Sequence, residues 1–512
     1  MEKVMIFDTT LRDGEQAAGC RIGAPEKVKI AHQLAGLGVD VIEAGFPCSS
    51  PEDFAAVQRI AAEVQGPVIC ALSRAVGADI DACGRALEKA GKPRIHTGIG
   101  VSDIHIMGKF KPEKYGATLQ DKRRTTIDMA VAAVQRARQY ADDVEFYSED
   151  AGRADPLFLF AILQAVIKAG ATVINIPDTT GYAVPPQYGR LIRDIRENVP
   201  EADRVIISVH CHDDLGLAVA NSLAGVENGA RQIEGTINGI GERAGNAALE
   251  EIIMALRTRR DFFHLATNIN TREFYRTSRM VADALGMVIP PNKAVVGDNA
   301  FSHSSGIHVD GFLKERQTYE IMEPADVGFP QSRVVLTART GRHGVFHRFA
   351  ELGVQLSEQE KEQIYERFLR VADKKKEVFD EDLIAIVNDE ITLEKQTYTL
   401  LASKVSCETG SAPQVTVRLS RGAEVLEAEA QGVGPVDAAC KAIAQAVGIT
   451  PDISRYEIQA ITEGTDAMGK VTVHMAHGGL KVLGKGASTD IIEASIKAYL
   501  DGLNKLVAMC SI

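Results

Sequence analysis

The stretch Val4–Gln16, VMIFDTTLRDGEQ, decides the fold expected for this chain. Its first four residues form a short apolar run, which predicts a buried β-strand, and Arg12 and Asp13 follow soon after it. A second apolar run, Val205–Val209, leads into His210-Cys211-His212. Residues that carry chemistry therefore follow two separate predicted strands. An acid, a guanidinium and two imidazoles at one place suit a divalent metal and an anionic substrate.

Eight strand-like segments alternate with helix-like segments over roughly the first 260 residues, close to the length of a typical barrel domain. This alternation predicts an α/β fold whose N-terminal part is a (β/α)8 TIM barrel. A doubly wound open sheet is the alternative, but no GxGxxG motif follows the first predicted strand. In a barrel, catalytic groups belong at the C-terminal ends of the strands. The predicted strands are Val4–Asp8, Val39–Gly45, Val68–Ser73, Ile95–Gly100, Val144–Ser148, Val173–Pro177, Val205–His210 and Ile233–Asn238.

Composition and charge narrow the class of protein. The 512 residues are 45% hydrophobic and 25% charged with a net charge of -12, which is typical of a globular chain with several domains. The sequence has no long Lys/Arg run, no apolar stretch of about 18 residues and no signal-peptide core, so we expect no nucleic-acid and no membrane binding. The eight cysteines form no CxxC pair and predict reduced thiols in a cytoplasmic protein.

The two histidines after the seventh strand are candidate metal ligands. Side chains at positions i and i+2 of a strand share a face, so His210 and His212 can present both imidazoles to one ion. Asp13 would add a carboxylate oxygen, and Asn246, in the glycine-rich run after the eighth strand, would add an amide oxygen. Two nitrogens and two oxygens suit Mn²⁺, Zn²⁺, Co²⁺ or Fe²⁺ and hold Mg²⁺ less well. The alternative is a hydrogen-bonded histidine pair in a polar barrel mouth.

Three motifs carry a resemblance to a known family. Asp8–Gln16, Val209–Gly216 and Gly241–Asn246 resemble the signatures of the 2-isopropylmalate synthases, in the alpha-isopropylmalate synthase/homocitrate synthase family. The resemblance implies an acyltransferase that condenses acetyl-CoA with 2-oxoisovalerate to give 2-isopropylmalate, the first committed step of leucine biosynthesis. It implies a divalent metal ion, with Mn²⁺ expected first and Mg²⁺, Co²⁺ or Zn²⁺ as alternatives, and K⁺ as an activator. The metal ligands that it implies are Asp13, His210, His212 and Asn246.

The resemblance also implies roles in catalysis. Arg12 would stabilise the developing alkoxide and the charge of the substrate, and a structural salt bridge is the alternative for this residue. Glu149 and His308 would form the base system that deprotonates the thioester methyl group, with Tyr319 as an acid or positioning group. Tyr147 stands where several relatives carry serine, which leaves the choice of keto acid less secure. The keto-acid contacts that it implies are Arg12, His96, Tyr147 and Thr179.

Beyond the barrel, predicted for residues 1–270, two further parts are expected. Residues 271–390 would form helical linker subdomains, including a loop that carries His308. Residues 391–512 contain an internal βββα repeat, which predicts a C-terminal α+β regulatory domain; the resemblance implies that leucine binds there. A glycine turn before each helix would favour the carboxylate of the amino acid, and simple strand-to-helix turns are the alternative. The two turns are Gly432-x-Gly434 and Gly484-x-Gly486.

Two other functions stay open at this point. The chain would be a citramalate or homocitrate synthase if it prefers another 2-oxo acid, or a non-catalytic amino-acid sensor if the barrel is inactive. The resemblance further implies a homodimer in which the linker of one chain covers the barrel of the other. His308 and Tyr319 would then serve the site of the partner.

Overall fold

The computed structural model describes residues 1–354, 356–373, 375, 377–391, 397–408, 410–460 and 469–510. The chain divides into two units. The first consists of Met1–Phe301 and Glu320–Ser332, and the second of Ser302–Tyr319 and Arg333–Ile512. Within the described ranges, no helix combines the length and the apolar character that crossing a membrane requires.

Eight strands of the first unit pair in parallel and close into a barrel, which confirms the predicted (β/α)8 fold. The last strand returns to the first, with Gly235 opposite Asp8. The strands are β1 (Met5–Asp8), β2 (Val41–Glu43), β3 (Val68–Arg74), β4 (Pro93–Gly100), β5 (Asp143–Glu149), β6 (Val173–Asp178), β7 (Ile206–Cys211) and β8 (Gln232–Gly235).

The first strand shows why the barrel strands are runs of consecutive apolar residues in the sequence. Ile6 belongs to the large core that includes the surrounding helices, whereas Phe7 packs with Val41 and Cys70 in a separate small cluster. Successive side chains of a strand point to opposite faces, and parallel strands are covered on both faces. Both faces of β1 are therefore apolar near its start, and the polar residues Arg12 and Asp13 follow only after the strand has ended.

Three of the longer helices of the first unit begin at a capping side chain. Ser50, Thr118 and Asp155 each accept a hydrogen bond from a backbone N–H in the first turn of the helix that follows. The helices of this unit are Ala24–Leu37, Pro51–Glu63, Gly77–Ala86, Asp103–Lys109, Pro112–Tyr115, Leu119–Ala137, Pro156–Ala169, Pro185–Asn198, Ala218–Glu227, Leu249–Thr258, Arg260–Phe263 and Phe274–Leu285.

The second unit starts with helices and ends in two βββα repeats, which confirms the predicted α+β C-terminal part. Each repeat is an antiparallel three-stranded sheet followed by a helix. The strands are β9 (Thr399–Ser406), β10 (Gln414–Arg421), β11 (Glu424–Gln431), β12 (Asp452–Ala460), β13 (Gly469–His477) and β14 (Leu480–Ser488). The helices are Gly306–Lys314, Arg342–Glu351, Glu358–Ala372, Asp380–Ile391, Pro435–Val447 and Ile491–Cys510.

One of the two expected glycine turns is wrong. Gly434 does cap the helix Pro435–Val447, but Gly484 and Gly486 lie inside β14, in register with Val473 and Val471. A Cβ atom on Gly484 would lie 1.9 Å from the carbonyl oxygen of Ala498, and one on Gly486 would lie 2.3 Å from that of Ala494. These two glycines therefore let the last helix pack directly against the strand. Close packing, and not a turn, explains why glycine stands at both positions.

Candidate active site

A cavity of about 590 Å³ opens at the C-terminal ends of the barrel strands. It brings together candidate residues that lie on or just after five different strands. A neighbouring cavity of about 650 Å³ shares Arg12 with it and is lined by none of the other candidates. The candidates that line the first cavity are Arg12, Asp13, His96, Tyr147, Glu149, Thr179, His210 and His212.

Asp13, His210 and His212 form a buried cluster whose possible ligand atoms all lie within 4.8 Å of one another. Oδ2 of Asp13 is 3.6 Å from Nε2 of His210 and 3.9 Å from Nε2 of His212. Burial alone would raise the pKa of Asp13, but Arg12 and the two imidazoles outweigh it and hold that pKa well below its ordinary value. The site therefore presents an ionised carboxylate and two ring nitrogens to one point.

Asn246 supplies the observation that tests whether a cation fits this cluster. Its side chain is buried, and its Nδ2 donates to Oδ1 of Asp13 at 3.0 Å and to the carbonyl of Ile240 at 3.0 Å. Its Oδ1 is buried and has no hydrogen-bond partner. An orphaned buried oxygen is costly in a folded protein unless something binds it. Together with Asp13, His210 and His212, this oxygen completes a two-nitrogen, two-oxygen donor set that fits a divalent ion.

Neighbouring side chains hold both imidazoles in a defined orientation. Nδ1 of His210 donates to Oε2 of Glu234 at 3.1 Å, which leaves its Nε2 free of a proton and facing the cluster. A guanidinium only donates, so Nδ1 of His212 accepts from Arg243 at 2.6 Å. The Nε2 proton of His212 then bridges to Nε2 of His210 at 3.1 Å, so binding of a metal at this Nε2 requires the proton to move to Nδ1 and Arg243 to release that nitrogen.

Arg12 lies beside the cluster and is held by two carboxylates. Its Nε donates to Glu43 at 2.6 Å and its Nη1 donates to Asp13 at 2.5 Å. Glu43 also contacts Nδ1 of His96 at 2.8 Å. Burial would raise the pKa of Glu43, but Arg12 and His96 lower it to about 2. The salt bridge considered as an alternative for Arg12 is therefore present, and it fixes the guanidinium at the base of the cavity.

Glu149, the candidate base, ends β5 and lies at the side of the cavity. Lys109 donates to its two carboxylate oxygens at 2.8 and 2.9 Å. Burial raises the pKa of this carboxyl group, but hydrogen bonds from His105 and Lys109 outweigh burial and lower the pKa to about 2. In this arrangement Glu149 is a weak base.

The expected keto-acid contacts have structural partners as well. Tyr147 is half-buried, its ring meets that of His96 edge-on at 5.0 Å, and its hydroxyl donates to the carbonyl of Ser73 at 3.2 Å. Oγ1 of Thr179 accepts from the backbone N–H of Asp150 at 2.9 Å. Tyr147 and His96 therefore form a rigid aromatic wall on one side of the cavity, and Thr179 fixes the backbone beside Glu149.

His308 and Tyr319 belong to the second unit. His308 lies on the helix Gly306–Lys314, so the prediction that a loop carries this residue is wrong. The two rings are 4.4 Å apart and both residues are exposed to solvent. The pair is thus assembled within its own unit, with its polar atoms available to a ligand.

Sequence reasoning missed a buried polar network below the cluster. Gln232 donates to Glu145 at 2.8 Å, and Arg94 donates to Glu145 at 2.9 Å and to Gln232 at 2.7 Å. Burial raises the pKa of Glu145 to about 8 and that of Glu234 to about 7. The signal that would have found them is a charged residue between two apolar neighbours of a strand, as in Val144-Glu145-Phe146.

Three known families match consecutive parts of the chain. The HMGL-like family matches residues 3–281, which is more than half of the length. The homocitrate synthase post-HMGL domain-like family matches residues 295–376, and the LeuA allosteric (dimerisation) domain matches residues 377–507. Among solved structures, the hydroxymethylglutaryl-CoA lyase of Pseudomonas aeruginosa superposes with a TM-score of 0.47 and 21% identity, covering 56% of this chain and 95% of that chain.

Full-length relatives extend this result. The 2-isopropylmalate synthase of Pelotomaculum thermopropionicum is 54% identical over 507 residues, covering 99% of both chains. That of Carboxydothermus hydrogenoformans is 54% identical over 99% of this chain and 98% of the relative. That of Aquifex aeolicus is 51% identical over 99% of this chain and 96% of the relative. The chain therefore belongs to the 2-isopropylmalate synthase family.

Proposed function

We propose that this chain is a divalent-metal-dependent acyltransferase that converts acetyl-CoA, 2-oxoisovalerate and water to 2-isopropylmalate and coenzyme A. The observation that carries the proposal is identity above 50% to relatives of that name along nearly the whole chain. The cluster of Asp13, His210 and His212 in the barrel mouth supports it, because a catalytically inactive sensor would have no need of a buried donor set. A cytoplasmic location remains part of the proposal.

Asp13, His210, His212 and Asn246 would hold the metal ion, with Mn²⁺ expected first and K⁺ as a further activator. When bound, the ion supplies Lewis-acid polarisation of the ketone. The orphaned Oδ1 of Asn246 and the fixed imidazole orientations support this ligand set.

Arg12 would stabilise the negative charge that develops on the ketone oxygen. Its guanidinium is fixed by Glu43 and Asp13 before any substrate arrives, so little reorganisation is needed when that charge appears. The remaining donors of the guanidinium are available to the carboxylate of the keto acid.

Glu149 and His308 would remove a proton from the thioester methyl group as the new carbon–carbon bond forms, and Tyr319 would supply or position a proton for the product hydroxyl. The 4.4 Å separation of His308 and Tyr319 supports a joint role for these two residues. The proposal includes a homodimer in which both residues serve the barrel of the partner, and the match to a dimerisation domain supports an oligomer.

The test is a thiol-release assay with acetyl-CoA, Mn²⁺ and a panel of 2-oxo acids. We expect the highest kcat/KM for 2-oxoisovalerate. Preference for pyruvate or 2-oxoglutarate would instead identify a citramalate or homocitrate synthase. Release of no thiol with any acid, in protein that binds Mn²⁺, would refute the enzymatic function and favour the sensor.

Leucine would act as a feedback inhibitor at the C-terminal part of the chain. Gly434 precedes the helix Pro435–Val447, where backbone N–H groups favour a carboxylate. Gly484 and Gly486 lie inside β14 and pack against the last helix, so the carboxylate argument does not extend to these two glycines. Linkage requires leucine to bind the less active state more tightly. Millimolar leucine that changes neither the activity nor the thermal stability of the protein would refute this part.

A further inference from the structure

Lys109 makes the closest charged contact to Glu149. Its Nζ lies 2.8 and 2.9 Å from the two carboxylate oxygens. Lys109 is the last residue of the helix Asp103–Lys109, which follows β4, and Glu149 is the last residue of β5. Both line the cavity that contains the metal cluster. The ion pair therefore stands at the mouth of the candidate active site.

This contact conflicts with the role proposed for Glu149. A general base works best when its pKa lies near the working pH, and a carboxylate with a pKa of about 2 is far below that. Burial by itself would raise the pKa of Glu149, so the contacts of His105 and Lys109 together keep the carboxylate from accepting a proton. The pair has to open before Glu149 acts.

The exposure of the pair allows such an opening. The side chain of Lys109 is 49% exposed and that of Glu149 is 32% exposed. Ion pairs so close to solvent contribute little stability, and lysine carries its charge on a flexible stem. Arg74, another cation of the same cavity, is instead fixed to Asp79 at 2.6 and 3.2 Å. Lys109 is thus a cation that an incoming anion can draw to itself.

We propose that Lys109 is a positioning residue, which clamps Glu149 in the substrate-free protein and releases it when the carboxylate or phosphate of an incoming substrate takes its ammonium group. The proposal rests on the proposed function, because that function makes Glu149 the base and makes both substrates anions. Release removes the ammonium group from both carboxylate oxygens and leaves burial and His105 acting on Glu149, so its basicity rises only once a substrate is present. Proton removal is thereby tied to substrate binding.

Two other groups face Glu149, and one of them, His105, also lowers its pKa. From the same helix, Nδ1 of His105 is 3.6 Å from Glu149 while its Nε2 is 3.5 Å from Asp150. From the strand of Glu149 itself, Tyr147 lies nearby as a phenol whose pKa burial raises, so it stays neutral. Lys109 is the group that donates a hydrogen bond to both carboxylate oxygens of Glu149 and also carries a positive charge.

The direct test is carbon NMR of the full-length protein labelled at the glutamate carboxyl carbon, with the signal of Glu149 identified by its loss in Glu149→Gln. In the wild type we expect this carboxylate to stay ionised at every pH at which the protein is folded. In Lys109→Met we expect its pKa to rise from about 2 toward its ordinary value of 4.5, with His105 still opposing the rise. Lys109→Arg should keep the pKa low. An unchanged titration in Lys109→Met would refute the clamp.

Lys114→Met is the matched control. Lys114 lines the same cavity, and its ammonium lies 5.2 Å from the ring of Tyr115. Its removal takes the same charge from the cavity, so the pKa of Glu149 should stay low. An equal rise in both variants would refute a specific clamp and assign the effect to net charge.

Release is tested in the wild type with 2-oxoisovalerate, coenzyme A and inorganic phosphate, each added alone so that no turnover occurs. At least one should raise the pKa of Glu149, and the effective one identifies whether a carboxylate or a phosphate takes Lys109. An unchanged pKa with all three would refute release. Because these measurements need no turnover, they are separate from the thiol-release assay, whose failure would refute the proposed function and leave the clamp measured.

Discussion

The most informative perturbation is at Glu234, which touches no substrate but orients His210. Glu234 accepts from Nδ1 of His210 at 3.1 Å and from the hydroxyl of Ser208 at 2.7 Å. Loss of such an outer partner typically lowers metal affinity about 10–100-fold. Glu234→Gln keeps a hydrogen-bond acceptor but loses the negative charge. We therefore expect the Mn²⁺ affinity to fall by the smaller amount, about tenfold or 1.4 kcal/mol. Glu234→Leu leaves Nδ1 and the hydroxyl unpaired, so we expect about 100-fold or 2.8 kcal/mol.

The assay is calorimetric titration with Mn²⁺ at about pH 8, because burial raises the pKa of Glu234 to about 7 and the carboxylate must be ionised. Glu145→Gln is the matched control. Glu145 is equally buried and pairs with Gln232 and Arg94. It hydrogen-bonds Glu234 but makes no contact with His210, so its substitution should lower the Mn²⁺ affinity less than that of Glu234. Wild-type affinity in Glu234→Leu, or an equal loss in Glu145→Gln, would show that the orientation of His210 does not control the site.

Three further predictions concern the same cavity. Tyr147→Ser removes a half-buried ring that lines the cavity, so kcat/KM for a keto acid one methylene longer should rise about tenfold or more relative to kcat/KM for 2-oxoisovalerate. An unchanged ratio would show that Tyr147 does not set keto-acid specificity. Asn246→Ala deletes the orphaned oxygen and should weaken Mn²⁺ binding at least about tenfold by calorimetry, and unchanged binding would exclude Asn246 as a ligand. The pKa of Glu43 is lowered from 4.5 to about 2. Its ionised carboxylate therefore stabilises the fold by on the order of 3 kcal/mol above pH 4.5, and this contribution is lost as the pH falls from 4.5 to about 2. The Tm difference between the metal-free wild type and Glu43→Gln should therefore shrink with acid, and a constant difference would contradict the argument.

Most of the barrel was predictable because its signals are local. Apolar runs recur between helix-like segments, and each run was long enough to mark a buried strand, although the strand limits shifted by one to three residues. Asp13, His210 and His212 were also predictable, because a barrel places strand ends at one mouth whatever the details of packing. The position of Gly484 and Gly486 inside β14 was not predictable. Sequence alone does not distinguish a glycine in a turn from one that allows a helix to pack closely against a strand.

The sequence by itself determined the barrel, the βββα repeat and the residue types at the candidate metal site, because hydrophobic periodicity and short motifs encode them locally. Only the tertiary structure decided which partners those residues have. Glu234 reaches His210 across 24 residues and Lys109 reaches Glu149 across 40 residues. Such contacts depend on the strand register and on the path of a loop helix, and they set the imidazole orientation and the basicity of the carboxylate. The sequence therefore determines which functional groups the site contains, while contacts made in the tertiary structure determine their orientation and basicity.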